Sequence, residues 1–213
     1  MRIGIIGAGM IGSTLAKLWA DAGHTVVIAS RHPEELEPLA EKLGKNASAG
    51  APVDAAAFGE AILLTVPLVS VPQLASDLAP SVVGKVVLDT GNAYEKRDGA
   101  TAVEAARHPK GSAGWAAAMF PGARWVKAFN TVYFKVLERE AHRERDRVGI
   151  PLASDDQQAL DVAAGLVRDA GFEPVVLGAL ARGKEFEPNT PPYNTGMTAK
   201  ELQSLFRQGA SAR

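Results

Sequence analysis

The sequence predicts an α/β protein, a doubly wound parallel sheet with helices on both faces. Three observations carry that prediction. Apolar runs of strand length alternate with amphipathic helical patterns along the whole chain, as an open parallel sheet requires. The first apolar run (Ile3, Ile5, Ile6) stops at Gly7-Ala8-Gly9-Met10-Ile11-Gly12, a G-x-G-x-x-G set between a strand and a helix. A second apolar run, 25–29, follows that helix and completes a βαβ unit of Rossmann type.

The elements follow in order. The first helix carries Leu15, Leu18 and Trp19 on one face, and Gly23 closes it. After the strand 25–29, Pro33-Glu34-Glu35 opens a helix through Leu36, Leu39 and Leu43, proline suiting its first turn. A weak strand at 46–49 precedes an alanine-rich helix near 53–58. The fourth strand, 61–66, stops at Pro67, and the next helix carries Val71, Leu74 and Leu78. The fifth strand, 86–89, leads into Thr90-Gly91-Asn92-Ala93-Tyr94. Residues 95–111 are charged and contain glycine, and read as a mobile loop. Ser112 is expected to cap a short helix at 115–120, ahead of a sixth strand at 125–129. A charged helix, 135–145, leads to a strand through 148–152. Ser154-Asp155-Asp156-Gln157 reads as the capping-box start of a long amphipathic helix to Ala170, followed by a last strand at 174–177. A polar, proline-rich passage, 185–194, precedes a second capping box, Thr198 to Glu201, and a terminal helix. The strands and helices after 145 form a short C-terminal α/β extension.

The glycine pattern points to a dinucleotide. Gly7 permits the tight strand-to-helix turn, Gly9 lets the backbone approach a pyrophosphate, and Gly12 lets helix and strand pack closely. The helix N-terminus presents free N–H groups to the anion. The end of the second strand then selects the dinucleotide. An NAD site carries Asp or Glu there, bonded to the ribose hydroxyls, whereas this chain has Ser30-Arg31-His32. A carboxylate repels a 2′-phosphate; a hydroxyl and a guanidinium bind it with charge-assisted bonds. The expected cofactor is NADP(H).

In a doubly wound sheet, ligands bind beyond the carboxyl ends of the strands. Thr65-Val66-Pro67 is expected along the adenosine side and the ribose bridge, with a plain strand stop as the alternative. Asn92 and Ala93 suit the nicotinamide ribose, although Gly91-Asn92 is equally an ordinary turn dipeptide. Ala128-Phe129-Asn130-Thr131 is the expected nicotinamide end, where a carboxamide needs polar partners and the ring an apolar wall. Tyr193 and Met197 stand either as lining of an acceptor pocket or as structural residues, while Trp115, Phe120 and Trp125 read as core. No catalytic acid or base and no metal set is expected. Hydride transfer between two bound rings depends on stacking and on exclusion of water.

Composition narrows the class. A 46% hydrophobic content suffices for a packed core, and a net charge of −1 gives no support to nucleic-acid or polybasic membrane binding. The absence of cysteine excludes disulfides, thiolate catalysis and Cys-ligated metals. The first strand begins at residue 2, leaving no room for a signal peptide, and no apolar run approaches the ~20 residues of a membrane span. A cytoplasmic location is expected.

Several stretches resemble one known family. They are GAGMIGSTLAKLWADAGH, the Ser30-Arg31 pair, ILLTVP at the fourth strand, WVKAFNT at the sixth, IPLASDD before the long helix, and LARGKEFE near the end. Together the chain resembles the NADPH-dependent reductases of the deazaflavin coenzyme F420, and is similar to the cytoplasmic domain of six-transmembrane ferric reductases. WAAAMFPGARWVKAFNT is nearer to the latter. The resemblance implies an NADP-binding unit over 1–145 and a C-terminal segment, 146–213, that completes the acceptor site and forms a homodimer interface. It implies hydride transfer between NADP(H) and a small-molecule acceptor of deazaflavin or flavin type: F420, or FMN or FAD. The acidic Glu34 and Glu35 leave Arg31 and His32 to carry the phosphate contact. An imine or pyrroline reductase, a flavin or ferric reductase, and a non-enzymatic NADP(H) sensor are the alternatives.

Overall fold

Strand β1 (Arg2–Ile6) turns Ile3 and Ile5 to one face and Ile6 to the other, and all three are buried. Burial on both faces is what a parallel sheet between helices demands. In the computed structural model, which describes residues 1–211, β1 is joined by β2 (Thr25–Ala29), β3 (Ala47–Gly50), β4 (Ala61–Leu64) and β5 (Val86–Asp89). Strands β6 (Arg124–Lys127), β7 (Gly149–Ala153) and β8 (Glu173–Gly178) complete one sheet, ordered β3-β2-β1-β4-β5-β6-β7-β8. Pairing is parallel as far as β6; β7 enters antiparallel, at Lys127 opposite Ala153, and β8 runs parallel to β7. The C-terminal strands therefore extend the same sheet. The strand order reverses between β1 and β4, so a crevice opens at their carboxyl ends.

Helices α1 (Met10–Asp21) and α9 (Gln157–Asp169) cover one face, where Leu15, Trp19, Leu160 and Val167 pack on Ile5, Leu88 and Val126. Trp19 Nε1 donates to the Leu166 carbonyl at 2.8 Å and ties the two helices together. The other face is covered by α3 (Pro52–Phe58), α4 (Val71–Leu78), α6 (Ala100–Arg107) and α7 (Gly111–Ala118), packed on Ile62, Leu64, Val87 and Trp125. Trp115, Phe120 and Trp125 belong to that core, with the Phe120 and Trp125 rings 5.3 Å apart. No described helix is long and apolar enough to cross a membrane.

Several local expectations need correction. Residues 95–111 are not a loop: Glu95–Asp98 forms a one-turn helix, α5, followed by α6. Asp98 is buried, Ala102 and Ala105 face the core, and Gly99 (φ +55) turns the chain between the helices. Charge density on one face hid the apolar face behind it. Helix α7 begins at Gly111 with no side-chain cap; Ser112 instead donates to Glu187 Oε1. The charged helix is shorter than expected, α8 (Phe134–Glu140), and positive φ at His142 and Asp146 marks the irregular chain after it. Asp156 caps α9 by accepting from Ala159 N at 3.0 Å, but without a reciprocal partner. The second capping box does form: Thr198 N donates to Glu201 Oε2 and Glu201 N to Thr198 Oγ1, ahead of the terminal helix α10 (Ala199–Ser211). A 3-10 turn, Pro33–Leu36, precedes α2 (Glu37–Leu43).

Candidate functional site

The three glycines of the first turn have different surroundings. A Cβ at Gly7, where φ is +108°, would lie 2.3 Å from the Thr65 carbonyl oxygen, and one at Gly12 would lie 2.0 Å from that of Gly7. Both are fixed by packing. A Cβ at Gly9 would meet nothing within 4 Å. Gly9 is also the N-cap of α1 and supplies no side chain to the first-turn N–H groups. Bare donors at a helix start beside open space suit a phosphate.

The open space is a cleft of about 410 Å³ along the carboxyl ends of β1, β4, β5 and β6. Gly9, Met10 and Ile11 line one end, and Thr65, Val66 and Pro67 the wall beside it. Asn92, Phe129 and Asn130 lie farther along. Six of the sequence-expected residues sit differently. Gly7, Ala8 and Gly12 shape the turn without lining the cleft. Ala128 is fully buried in the α1-side core, Ala93 packs against the opposite core, and Thr131 is buried, its carbonyl accepting from Asn194 N at 2.7 Å. Ala128 continues the strand alternation that buries Val126 on the same side, and the backbone at Phe129, with φ of +57°, then turns left-handed just after β6. That conformation costs a non-glycine residue roughly 1–2 kcal/mol. Edge-on packing of Phe129 against Trp19 and Phe172 holds it.

The turn delivers Asn130. Its Nδ2 donates to Asn92 Oδ1 at 3.0 Å and to the Phe186 carbonyl at 2.9 Å, while Asn92 Nδ2 donates to the Asn130 carbonyl at 2.9 Å. The two acceptors fix the amide orientation. Asn130 Oδ1 is then a buried acceptor without a partner among the described residues. Such an atom suits the N–H of a carboxamide.

Ser30, Arg31 and His32 follow β2, whose Ala29 pairs with Ile6, so they stand beside the glycine turn rather than inside the cleft. Ser30 Oγ donates to the His32 carbonyl at 2.9 Å and accepts from His32 N at 3.1 Å, and His32 Nδ1 lies 3.5 Å from Glu34 Oε1. Arg31 is exposed and pairs with no described residue. A guanidinium without a described partner at this strand end fits a 2′-phosphate.

Sequence reasoning missed most of what lies behind and beyond the Phe129–Asn130 wall of the cleft, Tyr193 excepted. Lys127 is wholly buried; its Nζ donates to the Gly91 carbonyl and to Ser112 Oγ (3.1 Å), and lies 3.5 Å from Asp89 Oδ2. Asp89 Oδ1 accepts from Gly91 N at 2.7 Å, so both sides of the Gly91 peptide are held. The period-2 alternation that placed Trp125 inward also places Lys127 inward, and this signal was available. At the far end stand Tyr94, Arg97, Tyr133, Phe134 and Tyr193. Arg97 Nη2 donates to Asp98 Oδ2 at 2.7 Å and to the Asn92 carbonyl at 3.0 Å. Burial alone would raise the Asp98 carboxyl, but Arg97 and the backbone N–H groups of Val69 and Tyr94 hold it below the usual range. Tyr193 does line the cleft, whereas Met197 packs against the core beneath α10.

Comparison with known proteins identifies relatives of the chain. Residues 2–93 match the family described as NADP oxidoreductase coenzyme F420-dependent. The F420-dependent NADP reductase of Methanothermobacter thermautotrophicus is 31% identical over 203 residues, covering 90% of this chain and 87% of its own. Rat metalloreductase STEAP3 is 29% identical over 189 residues, or 87% of this chain, which spans only 36% of that protein's length. A solved structure of a hypothetical protein, SMa0349, from Sinorhizobium meliloti superposes with a TM-score of 0.76 at 30% identity, covering 91% of this chain and 92% of the other.

Proposed function

The chain belongs to the family of coenzyme F420-dependent NADP oxidoreductases and is an NADP-dependent oxidoreductase, and from that premise we propose that it moves hydride between NADP(H) and a planar ring acceptor of deazaflavin type, coenzyme F420 or a close relative. The observation that carries this reading is the composition of the cleft. Its described lining contains no Asp, Glu, His or Lys; its one cation, Arg97, is bound to buried Asp98, and of its three tyrosines Tyr94 and Tyr193 are hydrogen-bonded to each other while Tyr133 is about half exposed. A dehydrogenase acting on an alcohol or an amine needs a positioned acid or base. Two stacked rings need only an apolar slot, an aromatic wall and little water. Phe129, Val132, Tyr133 and Phe134 supply that wall.

The roles follow from position. The first turn of α1 and the space over Gly9 would take the pyrophosphate, and Ser30 and Arg31, with His32, the 2′-phosphate. Thr65, Val66 and Pro67 would flank the ribose bridge, Asn92 the nicotinamide ribose, and Asn130 Oδ1 the carboxamide. When bound, NADPH supplies a hydride, two electrons with one proton, and the acceptor takes a second proton from solvent. Lys127 and Asp89 hold the Gly91 peptide and so keep Asn92 in place.

The test is NADPH oxidation followed spectroscopically against F420, FMN, FAD and a ferric chelate. Turnover with F420 at least tenfold faster than with the other three is expected. Preference for the ferric chelate would overturn the proposal and favour a metalloreductase-like activity, and no turnover with any acceptor would point to a sensor.

A further inference from the structure

The acceptor end of the cleft holds a hydrogen-bond donor that no other described residue uses. Tyr94 Oη and Tyr193 Oη are hydrogen-bonded to each other, and Asn92 Nδ2 donates to Tyr94 Oη at 3.3 Å. Each phenol has one proton to give. The mutual bond uses one of the two. If Tyr193 donates, the Tyr94 proton is left over; if Tyr94 donates, the Tyr193 proton is. In either arrangement the pair keeps one O–H to offer, and both rings line the cleft.

Two further facts make the pair a fixed donor. Arg97 lies over the Tyr94 ring, its Cζ 4.8 Å from the centroid, and is itself anchored by Asp98 and the Asn92 carbonyl. Burial, and then the bond to Tyr94, push the Tyr193 phenol above its ordinary pKa, so it stays protonated at neutral pH. The pair also joins distant parts of the chain: Tyr94 follows β5, and Tyr193 sits in the passage before α10, where Asn194 N is held by the Thr131 carbonyl. Through Asn92 the hydroxyls connect directly to Asn130 and the nicotinamide wall.

We infer that the Tyr94–Tyr193 pair recognises the acceptor by donating its spare O–H to a carbonyl oxygen or unprotonated ring nitrogen on the edge of a planar heterocycle stacked against the nicotinamide. The inference rests on the ring-acceptor reading above. It adds a selection rule: a ring with an accepting edge binds, and an isosteric ring lacking one is penalised because the spare donor is left unpaired.

The hydroxyl count makes the test specific. Tyr94→Phe and Tyr193→Phe each leave one phenol, which still has a proton to give, and only the double variant removes the donor. Titration calorimetry of the NADP⁺-loaded chain with F420 and with FMN should show Kd rising less than twofold in each single variant. In the double variant Kd should rise roughly three- to tenfold, the worth of one hydrogen bond. The Kd for NADP⁺, measured for each variant, checks that the fold survives. A double variant that binds both rings as tightly as the parent chain overturns the inference, as do single variants as weak as the double one. Wild-type protein that binds NADP⁺ but neither ring overturns the ring-acceptor reading itself, and this inference with it.

Discussion

Substituting the three glycines of the first turn should separate binding from folding. At Gly9 the backbone lies at φ −69°, ψ −173°, a region open to any residue, and an added Cβ meets nothing within 4 Å. Valine there should fold. Its cost is that of a poor helix N-cap, under ~1 kcal/mol. Its methyl groups would stand where a pyrophosphate oxygen must reach the α1 N–H groups, so NADPH affinity should fall at least a hundredfold, ~2.7 kcal/mol. Gly12 reverses the expectation. An added Cβ meets the Gly7 carbonyl oxygen at 2.0 Å, a backbone atom that cannot swing aside, so even Gly12→Ala should lose ~2 kcal/mol or more. Titration calorimetry with NADPH and urea unfolding of both variants give the two readouts. A Gly9→Val protein that binds NADPH normally would refute the phosphate assignment, and a Gly12→Ala protein as stable as the parent would refute the packing argument.

Arg31→Ala should abolish a preference for NADPH over NADH of tenfold or more, ~1.4 kcal/mol, because the free guanidinium is the cation at the end of β2; equal dissociation constants for the two cofactors in the parent chain would sink that role. Lys127→Met should cost about 3–5 kcal/mol, since it strands buried Asp89 without its partner, and a urea midpoint unchanged from the parent would contradict the pairing. Asp98 has a folded pKa below its unfolded one, so its contribution is present above the unfolded value of about 4 and is lost as pH falls through the folded value. Urea midpoints of Asp98→Asn should therefore fall less steeply below about pH 4 than those of the parent, and parallel curves would argue against the Arg97 pair. A homodimer formed through the segment after residue 145 is the proposed assembly, and light scattering at micromolar protein that gives a monomer would count against it.

Much of the fold was legible because its signals are local. Ile3, Ile5 and Ile6 ahead of a glycine turn, and Leu15 with Trp19 on one helix face, are each visible within one or two turns of chain. Errors fell where a local signal carried the wrong weight. The 95–111 segment looked like a loop because Glu95, Lys96, Arg97 and Asp98 crowd together, yet Asp98 and Ala102 form the buried edge of two short helices. The antiparallel entry of β7 had no sequence signature, since a buried strand of either sense reads as an apolar run.

The site divides along the same line. Residues that line the cleft through the backbone or from a strand end, Gly9, Val66 and Asn92 among them, were readable because the motif and the carboxyl-edge rule fix their place in the chain. Pairings between distant residues were not: Tyr193 was read as acceptor-pocket lining or as structural, with nothing to join it to Tyr94. Tyr94 and Tyr193 lie 99 positions apart and acquire a shared proton only when the passage before α10 crosses to the end of β5. Phe129 is the intermediate case. The strand pattern predicted an extended chain through Ala128 and Phe129; Ala128 follows it into the core beside Val126, and the left-handed Phe129 then turns the chain so that Asn130 reaches the cleft. That conformation is strained in isolation and persists because Trp19 and Phe172, from α1 and the loop after α9, close around the ring. This wall of the cleft is thus set by tertiary packing, which no window of sequence around Phe129 contains.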